Sequence, residues 1–266
     1  MYSARISAGL EAAHAARGGT YQFERDVFEY SIDFSDKSLC QVNLGTGARR
    51  NVRRREIPVA EARPGALPGT WTAQSAMQNC DLKELTETDS ELARVRSLLL
   101  KTIPNATIQQ VHRIQNVSLW KSYCANVETM AHILKRRPAQ RQVWHGTGTV
   151  DPAKIYKDAQ DGFRVAMSGD RNMWGRGIYF ADKAKYSDGY AYKKGAVRTL
   201  LLVSLLVGDA LEMPPDGSLK DPPDKTDGSD MRHDTVQGHT NGSDVFIVYQ
   251  NGRAYPEYRV QYAISS

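Results

Sequence analysis

The chain has 266 residues, of which 41% are apolar, and a formal net charge of +5. This length is sufficient for a sizeable core. It contains no predominantly apolar, uncharged run of roughly 18 or more residues, and its first residues lack the pattern of a signal peptide. We therefore expect an intracellular protein, cytoplasmic or nuclear, without a membrane span. The 3 cysteines lie far apart and no histidine or cysteine stands at ligand spacing, which argues against disulfides and against a bound metal.

The first elements predict a small α+β unit. Residues 6–18, ISAGLEAAHAARG, indicate a short helix that ends at a glycine, and residues 27–34, VFEYSIDF, alternate as a strand does. Residues 39–54 predict a second strand, a Gly-Thr-Gly turn and a third strand. The arginine cluster ARRNVRRRE at residues 48–56 could bind a phosphate-rich partner, act as a nuclear localisation signal or form a solvated strand face. The rest of the chain is balanced in charge, so we do not expect a general DNA-coating protein.

A linker and two helices are predicted next. Residues 57–83 are rich in proline and glycine and have no sustained period, which indicates a linker between two domains, 1–56 and 84–266. DSELARVRSLLLKTI predicts a helix stopped by Pro104. NVSLWKSYCANVETMAHILKR predicts a longer helix, because its apolar residues recur at three- and four-residue steps. Asn116 or Ser118 can cap it, and its aromatic residues are expected in the core.

The remainder of the chain consists mainly of short apolar runs. RQVWHG, RGIYFA, TLLLVSLLVGDAL, DVFIVYQ and YRVQYAI read as strands with few helices between them. This pattern predicts an α+β fold with a mainly antiparallel mixed sheet rather than a doubly wound one. WGRG is not a dinucleotide fingerprint, because no helix-forming segment follows it at the required place.

Two polar segments could build a binding site. In VWHGTGTV, His145 is either a core histidine or a ligand contact, Gly146 exposes a backbone N–H and C=O, and Thr147 adds a hydroxyl. About 30 residues later, WGRGIYFADKAKYSDGYAY adds aromatic faces and a further hydroxyl, from Tyr179, Ser187 and Tyr190. A flat heteroaromatic ring that carries a carboxamide would need such a set.

Several segments, in this order, resemble the catalytic domain of the poly(ADP-ribose) polymerase family, the diphtheria-toxin-like ADP-ribosyltransferases. They are IQNVSLWKSYC, HGT, GRGIYFADKAKYSDGY, RHDTVQG and DVFIVYQNGRAYPEYRVQY, and the similarity covers about residues 84–264. The resemblance implies a nicotinamide pocket that binds NAD. In it, His145 would bind the adenosine-side ribose and Gly146 would hold the carboxamide through its backbone. Ser187 would support that amide, and Tyr179 and Tyr190 would enclose the ring.

The resemblance also assigns a loop and a third catalytic position. KDAQDGFRVAMSGDRNM corresponds to the loop over NAD, with Asp161 and Arg164 as its polar contacts, although a plain mobile loop has the same composition. Polymerases of the family carry a glutamate where this chain has Val245, so chain elongation should fail. Asp244 points away from that side chain by strand alternation. Glu257 is not expected to replace the glutamate.

Residues 2–56 resemble a WWE domain, which in some proteins binds the iso-ADP-ribose unit of poly(ADP-ribose). Its leading tryptophan strand is absent from this chain, and the spacing from Tyr30 to Gln41 is slightly long. Tyr30, Gln41, Arg49 and Arg53 could contact a phosphate-bearing ligand. An interaction module without a ligand is an open alternative. The helical regulatory domain of DNA-break-activated polymerases is also lacking, so direct DNA binding is not expected.

Together these features predict an enzyme that transfers a single ADP-ribose from NAD to protein side chains, including its own, with Val245 in place of the glutamate. Two alternatives stay open. The fold could serve as a catalytically silent interaction or ADP-ribose-binding scaffold, or water could take the place of the acceptor, which would make the protein an NAD glycohydrolase. All three share one fold, so the fold alone does not separate them.

Overall fold

The computed structural model describes residues 10, 13, 19–25, 28–34, 39–52, 66–75, 77–169 and 172–264. The chain divides into two compact units, residues 1–57 and residues 58–266. The helix predicted over residues 6–18 lies outside the described residues, apart from two positions with helical backbone. In the described part of the chain, no helix is long and apolar enough to cross a membrane.

The N-terminal unit contains an antiparallel sheet in which neighbouring strands follow chain order. Its described strands are β1 (Thr20–Arg25), β2 (Phe28–Asp33), β3 (Cys40–Asn43) and β4 (Arg49–Asn51). β2, β3 and β4 agree with the strands that the sequence predicts, whereas β1 was not predicted. Phe23 and Ile32 are buried in this unit, and the Phe23 ring stacks on Tyr30 at a centroid distance of 5.7 Å.

The second unit is built on a large, mainly antiparallel sheet, as the sequence predicts. Ten of its described strands are joined in the order β11-β12-β13-β8-β7-β10-β14-β6-β5, with β9 paired to β10, and only β11 and β12 run parallel. The strands are β5 (Cys80–Glu84), β6 (Ala106–Asn116), β7 (Gln140–His145), β8 (Ile178–Ala181), β9 (Tyr192–Lys194), β10 (Val197–Leu206), β11 (Ala210–Glu212), β12 (Thr235–Thr240), β13 (Ser243–Val248) and β14 (Ala254–Ile264).

Two longer helices and two short ones cover this sheet in the described region: α1 (Ser90–Leu100), α2 (Val117–Leu134), α3 (Ala153–Tyr156) and α4 (Ala184–Asp188). α1 and α2 agree with the predicted helices. The Asn116 side chain caps α2 by accepting from the N–H of Leu119, because the first helical amides have no partner within the helix. The aromatic residues of α2 pack in the core with Tyr255, as the amphipathic period predicts.

The central strand β10 is buried on both faces. Leu200 and Leu202 pack in one cluster, while Leu201 and Val203 pack in the cluster on the opposite face, because successive side chains of a strand point to opposite sides. β7 pairs with β10 along all of its residues, but among the described residues its strand pairing with β8 is limited to Trp144 and Ala181. The sheet therefore splays between β7 and β8, and this gap positions the site.

The segment predicted as a linker is partly ordered against the second unit. β5 begins within it, at Cys80, and pairs with β6, so the prediction of irregular structure up to residue 83 is wrong at its end. Further upstream, the Trp71 ring packs on Trp120, and the backbone and hydroxyl of Thr72 bond the buried Gln115 side chain. These contacts join residues far apart in the chain, so local composition could not reveal them.

Candidate functional site

His145 ends β7 at the mouth of the gap. Its Nδ1 lies 2.8 Å from the carbonyl oxygen of Tyr179, and its ring packs against Phe163 and Phe180 at centroid distances of 5.1 and 5.3 Å. Burial lowers the pKa of the imidazole to about 4, although the Tyr179 hydrogen bond opposes this shift. The ring is therefore neutral near pH 7. Because a carbonyl oxygen only accepts, Nδ1 carries the proton and Nε2 keeps a free lone pair.

Gly146 allows the end of β7 to touch the segment after α4. A Cβ here would lie 2.4 Å from the carbonyl oxygen of Tyr190 and 2.7 Å from that of Ser187, so a larger residue does not fit. Gly148 donates its N–H to the same Tyr190 oxygen at 2.7 Å. In the described structure, no turn or loop hydrogen bond uses the N–H or C=O of Gly146. The Ser187 hydroxyl is buried and donates to the Trp144 carbonyl at 3.1 Å.

Three tyrosine rings surround the space beside Gly146. The Tyr179 hydroxyl accepts from the N–H of Trp174 at 2.9 Å and donates to the carbonyl of Gly175 at 2.8 Å. Tyr190 is 56% exposed, and its ring lies 5.8 Å from that of Tyr186. Burial raises the pKa of both Tyr179 and Tyr186 to about 12, so neither acts as a base near neutral pH. Tyr186 was not predicted as a site residue, although it lies four residues before Tyr190.

Two adjoining cavities meet at these residues. The smaller, about 300 Å³, is named here the aromatic cavity and is lined by Trp174, the three tyrosines and Ser187. The larger, about 410 Å³, is named the cationic cavity and is lined by Lys154, Phe163, Arg164 and Met167. Residues that line both are His145, Gly146, Asn172, Tyr179 and Tyr190. The two cavities therefore form one elongated site.

The charges around the site are unevenly distributed. The cationic cavity is lined by two cations, Lys154 and Arg164, and among the described lining residues of either cavity there is no carboxylate. Asp161, which the sequence predicts as a contact, does not line them. Thr147 lines the cationic cavity, but its hydroxyl donates within the loop to the carbonyl of Val150. Lys154 was not predicted, because a single lysine on a short helix has no distinctive sequence pattern.

Val245 lies near the aromatic cavity without lining it. It pairs with Ala181 across β8 and with Gly238 across β12, and it is fully buried in a cluster with Trp174. Asp244 lies on the other side of the strand, where its carboxylate is 2.7 Å from His239 Nδ1. The structure thus agrees with the expectation that Asp244 points away from the Val245 side chain.

Glu257 lies in a separate buried network. Its carboxylate accepts hydrogen bonds from the Ser204 hydroxyl at 2.7 Å and from the Gln142 amide at 2.5 Å. Burial raises the pKa of this carboxyl, while these hydrogen bonds and Arg94 oppose the shift. Glu257 lines neither cavity, so its geometry agrees with the expectation that it does not replace a catalytic glutamate.

The predicted ligand residues of the N-terminal unit are divided between the two faces of its sheet. The register pairs Tyr30 with Asn43 and Gln41 with Arg50, while Arg49 pairs with Val42. Residues directly opposite each other in an antiparallel pair point to the same side, and neighbours along a strand alternate. Tyr30 and Gln41 therefore share a face with Arg50, whereas Arg49 lies on the opposite face, and its ligand contact stays a prediction. Arg53 lies outside the described residues.

Comparison with known proteins gives matches over both units. Residues 89–241 match the family model of the poly(ADP-ribose) polymerase catalytic domain, and residues 1–54 match that of the WWE domain. Protein mono-ADP-ribosyltransferase PARP12 of Homo sapiens is 27% identical over 266 aligned residues, which cover 94% of this chain and 37% of that protein. Protein mono-ADP-ribosyltransferase PARP11 of Mus musculus is 26% identical over 280 aligned residues, covering 92% of this chain and 80% of that protein. The chain thus spans little more than a third of PARP12.

Proposed function

Because the chain belongs to the poly(ADP-ribose) polymerase catalytic domain family, whose members use NAD as substrate, we propose that it transfers a single ADP-ribose from NAD to a protein side chain. The observation that carries this proposal is the elongated site, in which a neutral cavity walled by tyrosines adjoins a cavity with two cations. NAD has the same division, since a flat nicotinamide is joined through ribose to a diphosphate and adenosine. The relatives of the chain that are named as mono-ADP-ribosyltransferases support this reaction.

The aromatic cavity would hold the nicotinamide. Tyr179 and Tyr190 supply the two aromatic faces, and the N–H and C=O of Gly146 match the acceptor and donor of a carboxamide. The Ser187 hydroxyl donates to a backbone carbonyl, so it retains only acceptor capacity for the amide N–H. No charged group is needed here, because the departing nicotinamide is neutral.

The cationic cavity would hold the rest of the substrate. His145 Nε2, as a lone-pair acceptor, suits a ribose hydroxyl, which donates to it. Arg164 and Lys154 suit the diphosphate, because two cations attract a dianion and no carboxylate is among the described residues that line this cavity. A site that binds both ends of NAD fixes the bond between them for cleavage.

The reaction then needs little chemistry from the protein. The bond from ribose C1″ to the nicotinamide nitrogen breaks, and its electron pair leaves with neutral nicotinamide. An acceptor side chain such as a carboxylate forms the new C1″–O bond. Water-poor surroundings and exact placement favour this oxocarbenium-like transition state. The acceptor therefore supplies the nucleophile, and the site supplies position.

The same geometry supports one addition per acceptor. Elongation needs a base beside the ribose hydroxyl that is to be extended. No carboxylate lines the aromatic cavity in the described residues, Val245 is buried and apolar, and the tyrosine pKa values are too high for a base. A second ADP-ribose would find no activating group.

The WWE match suggests a second role for the N-terminal unit. WWE domains generally bind poly(ADP-ribose), and the face formed by Tyr30, Gln41 and Arg50 carries an aromatic ring, a largely buried amide and an exposed cation. We propose that this face recognises the iso-ADP-ribose unit of modified partners, which would bring the transferase to them.

Intact mass measurement tests the transferase proposal. The purified chain is incubated with NAD, and His145→Ala serves as the control. Discrete ADP-ribose increments that are absent from the control are the expected result. If no increment forms, released nicotinamide decides between the alternatives: its presence would indicate NAD hydrolysis, and its absence would favour a catalytically silent scaffold.

Titration of the full chain with iso-ADP-ribose tests the WWE proposal. Arg50→Ala should weaken binding about tenfold, as expected for a lost charge-assisted contact, whereas Arg49→Ala on the opposite face should change it little. Equal effects of the two substitutions would show that general charge attraction, not this face, binds the ligand.

A further inference from the structure

The loop that covers the site is fixed at its carboxyl end by a buried tryptophan. Trp174 is 1% exposed although it lies in a loop. Its indole Nε1–H lies 3.2 Å from the carbonyl oxygen of Met213 and 3.1 Å from that of Pro214, so the donor is shared between them. The indole therefore ties the covering loop to the segment after β11.

The indole fits a space left by a glycine in the sheet. A Cβ on Gly238 of β12 would lie 2.0 Å from Cζ2 of Trp174 and 2.4 Å from Cε2, far inside the contact distance of carbon atoms. Glycine within a strand weakens the strand, and its presence is typical of a place where another group approaches closely. Here that group is the Trp174 ring.

The backbone of Trp174 connects this anchor to the site. Its N–H donates to the hydroxyl of Tyr179, and its carbonyl accepts from the hydroxyl of Tyr249 at 2.7 Å. The Tyr179 hydroxyl in turn donates to Gly175, the next residue of the loop. The two residues that precede Trp174, Asn172 and Met173, line the aromatic cavity. A shift of the indole would therefore move the wall that Asn172 and Met173 form, and it would also move the hydroxyl of Tyr179.

From this geometry we infer that Trp174, seated on Gly238, is a positioning residue that holds the Tyr179 ring at the angle the nicotinamide needs. The inference rests on the proposed function, since it concerns the same site. Trp174 acts through Tyr179 and the loop rather than by reacting. Its effect should be larger in the aromatic cavity, because Trp174 and Met173 line that cavity and not the cationic one.

Two ligands separate a positioning role from a general packing role. 3-Aminobenzamide is a flat carboxamide that probes the aromatic cavity, and ADP-ribose lacks nicotinamide and probes the other end. For Trp174→Phe we expect a loss of at least tenfold in 3-aminobenzamide affinity and less than threefold in ADP-ribose affinity, both measured by calorimetry. In a double-mutant cycle with Tyr179→Phe, the losses should not add, because the indole is inferred to act on Tyr179 through the hydrogen bond from the Trp174 backbone N–H, which Tyr179→Phe removes.

Trp120→Phe is the matched control. Trp120 is also fully buried and also donates its indole N–H to a backbone carbonyl, that of Ala66, but it lies in the α2 cluster away from both cavities. It should cost comparable stability and leave both affinities unchanged. If Trp174→Phe and Trp120→Phe bind 3-aminobenzamide with equal affinity, the positioning role is overturned while the proposed function stands.

A second variant protects the test against misfolding. Gly238→Ala keeps the indole donor but displaces its ring, and we expect the same selective loss of 3-aminobenzamide affinity. A folded Gly238→Ala protein with wild-type affinity for 3-aminobenzamide would overturn the inference. If the wild-type protein binds neither probe, the proposed function and the inference are both wrong.

Discussion

The two cavities of the site are built on different physical principles. The walls of the aromatic cavity are fixed by close backbone approaches at Gly146 and Gly238 and by the hydroxyl contacts of Tyr179. The cationic cavity depends instead on long side chains, of which Lys154 is exposed. Rigid walls give shape selection, whereas long cations give attraction that tolerates imprecise placement. Substitutions in the two cavities should therefore differ in size of effect and in salt dependence.

His145 lines both cavities, so its removal should have the largest effect. His145→Ala should lower ADP-ribose affinity about 100-fold, because the proposed acceptor for a ribose hydroxyl is lost. The stabilisation of the protein by NAD in thermal unfolding should disappear. Without ligand, the melting temperature should change little; a large fall there would instead favour a histidine that serves only the core.

Val245→Glu tests whether the aromatic cavity can be given the missing carboxylate. Since Val245 is buried beside Trp174 and lines no cavity, we expect destabilisation by about 3 kcal/mol at pH 7.5, measured in urea, and no ladder of mass increments. The destabilisation should be smaller at pH 5, where the buried carboxyl would be protonated, and Val245→Gln should show no such pH dependence. A ladder would show that the glutamate reaches the cavity and that only the carboxylate was missing.

The residues that sequence analysis could predict are those whose position follows from local pattern. Around the same gap the structure brings together five predicted residues: His145 and Gly146 at the end of one strand, Tyr179 on another, Ser187 in a short helix and Tyr190 just after it. The helices α1 and α2 follow from their apolar period. The helices need only local pattern, whereas the meeting of the two polar segments is what the family resemblance implied.

The features that escaped prediction depend on such distant contacts. Gly238 appears ordinary in the sequence until Trp174, more than 60 residues earlier, fills the space beside it. The strand pairing that separates Arg49 from Gln41 is a matter of register, and a shift by one residue would reverse it. β5 begins in a segment of linker-like composition and still forms a strand, because pairing with β6 decides its conformation.

The protonation of His145 should make the stability of the folded protein depend on pH. Its pKa is about 4 in the folded protein and about 6.5 when unfolded, so the neutral form favours folding, and this contribution is lost as pH falls from 6.5 towards 4. Between pH 7.5 and pH 4.5, wild type should lose about 2.5 kcal/mol more stability than His145→Gln in urea unfolding. Parallel losses in both proteins would show that other groups dominate acid unfolding.

The smallest effect is expected at the cationic cavity, and Lys154→Gln measures it. In the described structure no hydrogen bond or ion pair engages the Lys154 ammonium, so its removal should leave stability unchanged while the KM for NAD rises about three- to tenfold at low salt. The kcat and the affinity for uncharged 3-aminobenzamide should stay constant, because the aromatic cavity is untouched.

Lys157→Gln is the matched control for that prediction, since Lys157 lies three residues further along, is exposed and lines neither cavity. It changes the net charge by the same amount. A Lys154 effect that is at least threefold larger, and that shrinks as salt rises from 0.05 to 0.5 M, identifies a local contact with the diphosphate. Equal effects of the two lysines would mean that overall charge, rather than this cavity, attracts the substrate, and the distinction between the two cavities would then rest on shape alone.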